Sequence, residues 1–276
     1  MKFRPYVNSE FHRAIYHHII GNVLLKETES PLILGIFGPP GEGKTFQTEQ
    51  VCKRLGVDLV SVSPGELESP NAGQPGELLR TLYLQAGHAL QSGRPSALLI
   101  NDIDTVLGNW GDLVQYTVNR QVVFGQMMAF CDYPDSVSGQ QVARVPIIVT
   151  GNNPALLYEP LLRPGRTRIF PWTPTPEDRC QILRPMFPEV SEDSLKALVN
   201  EFPDCPVSFW GDVRAAVWEA ALARWAAAQK PEWVLTLIQQ NRRVSLDEVP
   251  ISSDQLLHVA RSMVLQDVRN ISYVKP

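Results

Sequence analysis

The eight residues Gly38-Pro39-Pro40-Gly41-Glu42-Gly43-Lys44-Thr45 constrain this chain more than any other stretch. They satisfy the pattern G-x-x-x-x-G-K-[ST]. They also lie between an apolar run at 31–37, read as a strand, and a segment at 46–55, read as a helix. A strand that turns through such a loop into a helix is the context in which this pattern holds phosphate. Gly41 and Gly43 let backbone N–H groups turn inward around an anion. The start of the next helix adds positive potential. Lys44 brings charge to the β and γ phosphates, and the Thr45 hydroxyl reaches a magnesium ion. The stretch 38–45, with Phe46 behind it, is therefore expected to hold a nucleotide. The alternative, a chance match in a glycine-rich turn, does not explain the flanking elements.

A phosphate loop names a ligand and leaves the purpose open. In an open α/β sheet, metal and water are served from the C-terminal end of a nearby strand. The stretch "LLINDID" (98–104) is the place to look. Leu98, Leu99 and Ile100 read as a buried strand, followed by Asn101, Asp102 and Asp104. The first polar residue is an amide, which cannot neutralise a cation but can order a metal-bound water. Asp102 can polarise an attacking water. Asp104 either supports Asp102 and shares the metal charge, or caps the turn that follows.

The rest of the chain fits an α/β part followed by a helical part. Residues 8–27 read as an amphipathic helix, with Phe11, Ile15, Ile19 and Val23 on one face and Asn8 or Ser9 as cap. Strands are expected at 57–63, 97–101, 145–150 and 166–172, and helices at 77–92 and 114–131. The segments 64–76, 108–112 and 133–141 read as loops or exposed polar chain. Strands alternating with helices imply a parallel sheet. Beyond "TPTPED" (173–178), five segments read as helices: 177–187, 191–202, 210–228, 231–240 and 253–268. The expected division is an α/β nucleotide-binding domain at 1–172 and a helical domain at 173–276.

Composition removes several alternatives. The 44% hydrophobic and 20% charged content is ordinary for a soluble globular chain. A net charge of -4 gives no bias toward nucleic acid or an anionic membrane, so neither is expected as a partner. The apolar runs are far below the ~20 residues that span a bilayer, and no signal peptide is expected. Cys52, Cys131, Cys180 and Cys205 form no CxxC, which fits a reducing compartment. His12, His17, His18, His88 and His258 show no metal spacing and are expected to be structural or on the surface.

Several stretches together resemble the AAA+ ATPases and, within them, the rubisco activases: "GKTFQ", "GELESPNAG", "LLINDID", "QYTVNRQ", "RVPIIVTGN" and "RPGR". They cover roughly residues 40–170, and weaker similarity continues through the helical part. The resemblance implies a five-stranded parallel sheet with a helical lid, ATP and Mg2+ as cofactors, and a hexameric ring that remodels rubisco, through its large subunit, to release inhibitory sugar phosphates. Asn101 falls where a typical member has Asp and Asp102 where it has Glu, as in activases. The resemblance makes Asn152 the sensor of the γ-phosphate or lytic water. It makes Arg163 and Arg166, around Pro164-Gly165, fingers reaching a neighbouring subunit's nucleotide, a role suited to guanidinium. Arg214 matches the second sensor arginine, with Ala215, Val217, Trp218, Ala221, Leu222 and Trp225 of the same helix expected to pack.

The chain departs from ring unfoldases at the first pore loop, where Asn71-Ala72-Gly73 replaces an aromatic-hydrophobic-glycine pattern. A small polar loop grips a threaded chain weakly. Tyr116 is then either the missing aromatic client contact or a buried helix residue. Plant activases carry a longer N-terminal domain and some cyanobacterial ones a rubisco small-subunit-like module. Neither is evident, so the expectation is a cyanobacterial-type core of the bacterial cytoplasm or carboxysome, with the chloroplast stroma as the alternative. Two other functions stay open: an AAA+ unfoldase or assembly factor for another client, and a nucleotide-gated scaffold that binds rubisco.

Overall fold

The protein is described by a computed structural model at residues 5–25, 28–67, 73–106, 114–243 and 252–272, with side chains except at 105–106, 114–119 and 266–272. In chain order the first part comprises α1 (Ser9–Val23), β1 (Ile33–Phe37), α2 (Lys44–Leu55), β2 (Asp58–Val62), α3 (Pro64–Leu67), α4 (Gln74–Gln91), β3 (Ser96–Ile100), α5 (Ile103–Val106) and α6 (Val114–Asp132). It continues with β4 (Ser136–Val137), β5 (Gln140–Gln141), β6 (Ile147–Gly151) and β7 (Thr167–Pro171). Five strands form one parallel sheet in the order β2-β3-β6-β1-β7.

Burial explains the sequence pattern. Every residue of β1, β3 and β6 is buried, so these strands read as unbroken apolar runs, as interior parallel strands do. The edge strands β2 and β7 carry exposed residues, and Pro171 is tolerated in β7 because an edge strand needs fewer ladder bonds. Successive side chains point to opposite faces. Ile33, Phe37, Leu98, Ile100, Ile147 and Val149 pack with Leu79 and Tyr83 of α4 and Met127 and Phe130 of α6. Leu34, Ile36, Ala97, Leu99 and Ile148 pack instead with Phe11 and Ile15 of α1 and Val51 and Cys52 of α2. Each such buried Leu, Ile or Phe contributes about 1.5–3 kcal/mol.

Several local expectations need correction. The helix read at 8–27 spans Ser9–Val23, where Asn8 accepts from the Phe11 N–H as cap and Val23 is exposed. The segment 64–76 was expected to be loop. It begins with α3, where the hydroxyl of Ser63, just before the helix, donates to Glu66, and α4 starts at Gln74 after Gly73, which has φ of 92°. Proline at both helix starts fits, because its missing N–H is unbonded there anyway. The polar stretch 133–141 holds a two-residue hairpin, β4–β5, turned by Ser138 and Gly139 at φ of 52° and 79°. Positive φ at both central positions is the favoured hairpin turn, and Val137 is buried beneath it. The ladder is too short for alternation to reveal.

The residues separate into two compact units, one Val7–Thr173 and the other gathering Pro5 and Tyr6 with the described residues from Pro174 onward. The second unit contains α7 (Pro176–Met186), α8 (Glu192–Glu201), α9 (Val207–Ala227), α10 (Pro231–Gln239) and α11 (Ser253–Ser272). Its core gathers Leu183, Phe187, Leu198, Phe209, Trp210 and Leu256. A reciprocal cap between Thr175 and Asp178 starts α7, and Tyr6 donates to Asp178 at 2.7 Å.

Candidate functional site

Three chain segments meet because three neighbouring strands end together. β3, β6 and β1 are adjacent, and their C-terminal ends lead to Asn101, Asn152 and Gly38 respectively. Phe37 stands level with Gly151 across β1 and β6.

The phosphate loop leaves β1 with Gly41 and Gly43 at φ of 75° and 74°, the left-handed region where glycine carries no Cβ penalty. Gly43 begins α2, and its carbonyl accepts from the Gln47 N–H at 2.8 Å. Gly38 is required for a different reason. A Cβ there would lie 1.7 Å from the carbonyl oxygen of Trp172. Trp172 clasps the loop further: its indole N–H donates to the Glu42 carbonyl at 2.8 Å. Pro39, Pro40 and Gly41 are exposed, Phe46 is half exposed, Thr45 is partly exposed and Glu42 is buried.

Lys44 is 5% exposed and donates to the carbonyls of Gly38 and Pro39 at 2.8 and 2.9 Å, and to Oδ1 of Asn152 at 2.9 Å. Burial pushes its ammonium below the ordinary lysine range, while the charges of Asp102, Asp104 and Glu42 act against that shift. The ammonium is thus surrounded by oxygen acceptors and acids, and a phosphate can replace the carbonyl contacts.

The strand-end acids differ from one another. Asp102 has φ of 41°, and its N–H donates to the Thr150 hydroxyl at 3.0 Å. Thr150 in turn approaches the Asn101 side-chain oxygen at 3.5 Å. Asp104 is 5% exposed, and its Oδ2 accepts from the backbone N–H groups of Asn152 and Asn153 at 2.7 and 3.1 Å. Among the described residues no group of three or more His, Cys, Asp or Glu could cage a metal. Thr45 with Asp102 fits magnesium, which keeps waters and phosphate oxygens and takes only one or two protein carboxylates.

Of the remaining expected residues, Arg163 is exposed, and Arg166 donates to Asp132 and to the Pro160 carbonyl. Arg214 is exposed on α9 within the helical unit. Val217 and Ala221 pack as expected, but Ala215 and Trp218 are exposed, because α9 buries only a narrow stripe. Asn71 and Ala72 lie outside the described residues, and Gly73 caps α4. Tyr116 lies on α6, with its side chain outside what is described. Sequence reasoning missed Trp172, Thr150 and Asp132. Each acts on a residue distant in the chain, and no local pattern marks them.

A glycine-rich phosphate loop leaving an interior strand of a five-stranded parallel sheet, with helices on both faces, defines a P-loop nucleotide-binding fold. The family model described as "ATPase family associated with various cellular activities (AAA)" matches residues 34–174. The chain belongs to that family. It is 36% identical to the chloroplastic ribulose bisphosphate carboxylase/oxygenase activase of Chlamydomonas reinhardtii, over 94% of this chain and 66% of that protein. It is 35% identical to the activase of Solanum pennellii, over 98% of this chain and 61% of that protein. For the activase of Phaseolus vulgaris the figures are 36%, 98% and 64%. The chain thus spans a little under two thirds of the length of these relatives. Among the described residues no helix is long and apolar enough to cross a membrane.

Proposed function

We propose that this chain hydrolyses ATP to remodel rubisco, freeing active sites blocked by inhibitory sugar phosphates. The observation that carries the reading is similarity to chloroplast activases across 94–98% of the chain. In this reading the backbone of 38–45 and Lys44 hold the phosphates, and Phe46 lies beside the nucleotide. Thr45 and Asp102 would hold Mg2+, with Asp104 close by, and charge neutralisation on the phosphates is what the ion would supply there. Asp102 polarises the attacking water, oriented by Asn101 and Asn152. Arg163 and Arg166 complete a neighbouring subunit's site in a ring, expected to be hexameric, and Arg214 reports the γ-phosphate to the lid. Asn71, Ala72, Gly73 and Tyr116 meet the client. The chloroplast relatives favour a stroma-like setting, with bacterial cytoplasm or carboxysome as the other possibility.

Purified chain, Mg2+ and ATP are mixed with rubisco blocked by a tight-binding sugar phosphate. Recovery of carboxylase activity that requires ATP hydrolysis supports the reading. Hydrolysis with rubisco still blocked points to another client, and binding without hydrolysis points to a scaffold.

A further inference from the structure

Asp104 makes an arrangement that neither metal binding nor capping of its own turn accounts for. Its carboxylate is buried, and Oδ2 accepts two backbone N–H groups 48 and 49 residues further along the chain. Those amides belong to Asn152 and Asn153, the first residues after β6. Oδ1 is buried without a hydrogen-bond partner among the described residues. An unpaired buried oxygen is costly, so the two bonds at Oδ2 must hold the group there. Bonds from N–H to a carboxylate are stronger than those between neutral groups. The fold makes room for this group: a Cβ at Gly151 would lie 3.1 Å from Oδ1 and 2.7 Å from the Phe37 ring.

The far side of the same turn faces the nucleotide site. Asn152 presents Oδ1 to the Lys44 ammonium at 2.9 Å. A chain of contacts therefore runs from the end of β3, through Asp104, to the backbone of 152–153, to the Asn152 carboxamide and on to Lys44. A carboxamide on a loop aims accurately only if its backbone is fixed. We propose that Asp104 is a positioning residue for ATP turnover, clamping the 152–153 backbone so that Asn152 is aimed at Lys44 and the bound γ-phosphate. Its route to the reaction passes through Asn152, and it is not a magnesium ligand. This rests on the ATPase reading above.

The test is a double-mutant cycle on the full chain with Asp104→Asn, Asn152→Ala and both together, measuring steady-state ATP turnover at several Mg2+ concentrations. Asp104→Asn keeps the shape but weakens the acceptor. It should lower kcat about 10- to 100-fold with the KM for ATP moved by less than about threefold. The double variant should turn over as slowly as Asn152→Ala alone, within about twofold, because the two act as one unit. Multiplying defects overturn the proposal, as does a shift in the Mg2+ concentration for half-maximal turnover specific to Asp104→Asn. Wild-type turnover by Asn152→Ala removes the sensor role, and with it both this inference and that part of the site reading. If Asp104→Asn does not fold, amide exchange in the unaltered chain decides. The Asn152 and Asn153 amides should be protected comparably to the end of β6, and unprotected exchange overturns the clamp.

Discussion

One guanidinium nitrogen of Arg166 reaches both carboxylate oxygens of Asp132, at 2.8 and 3.1 Å, within a single chain. The side chains are 25% and 47% exposed, so the pair contributes no more than about 1 kcal/mol. Under the proposed ring, so small a contribution leaves the arginine easy to transfer to a neighbouring subunit's phosphate. Arg166→Ala is therefore expected to melt close to wild type and to bind ATP normally, while turnover falls by about 10³. Mixing it with Lys44→Ala subunits should restore part of the activity, since each supplies what the other lacks. No recovery at any ratio, with mixed rings confirmed, argues that Arg166 does not act between subunits.

Asp102 occupies left-handed backbone, which Asn also adopts readily. Asp102→Asn should consequently fold and bind ATP like wild type while hydrolysis stops, because an amide is a poor base. Turnover at the wild-type rate would assign the water to another group. Asn101→Asp is expected to be tolerated better, as it restores the commoner metal-site residue.

Gly38 and Gly43 are both glycine, for reasons that differ in size. Ala at 43 meets no atom within 4 Å but keeps φ of 74°, a strain of about 1–2 kcal/mol. Ala at 38 forces its Cβ against the main-chain carbonyl of Trp172, which cannot swing away as a side chain could. Gly38→Ala should lose more than Gly43→Ala in urea unfolding, and should lose nucleotide affinity as well. Equal losses would mean the Trp172 contact can yield.

His18 is buried, with Nε2 on the Ile147 carbonyl at 3.0 Å. Burial and then the Arg168 charge depress its pKa from 6.5 to about 3, with Arg144 adding to the effect. In the unfolded chain the imidazole takes a proton below about 6.5, whereas in the folded chain it stays neutral to about 3. The unfolded state thus binds more protons in that window, and stability falls as pH falls through it. Between pH 7 and pH 5 this group alone removes about 2 kcal/mol. Urea unfolding at the two pH values should show wild type losing that much more than His18→Gln. An identical pH dependence in the two proteins would refute the assignment.

The sheet was readable because its interior strands are buried on both faces, leaving apolar runs at 31–37, 97–101 and 145–150 with turn residues between. The phosphate loop was readable because its residues are consecutive. Asp104 was not: two roles were open from its place after β3, and its hydrogen bonds go to a turn 48 residues away. Short elements escaped for a related reason. The β4–β5 ladder has two residues per strand, and α3 has four, too few for either period to repeat.

Trp172 carries a consequence for what counts as a part of this protein. Its N–H donates to the Phe37 carbonyl, its own carbonyl excludes any side chain at 38, and its indole holds Glu42. The eight-residue motif is contiguous, but the loop it makes is not autonomous. A fragment ending after β6 would contain every letter of the motif and lack the residue that shapes it. The motif therefore cannot be transplanted as a cassette, because the smallest portable unit reaches from β1 through Trp172, one residue past the end of β7.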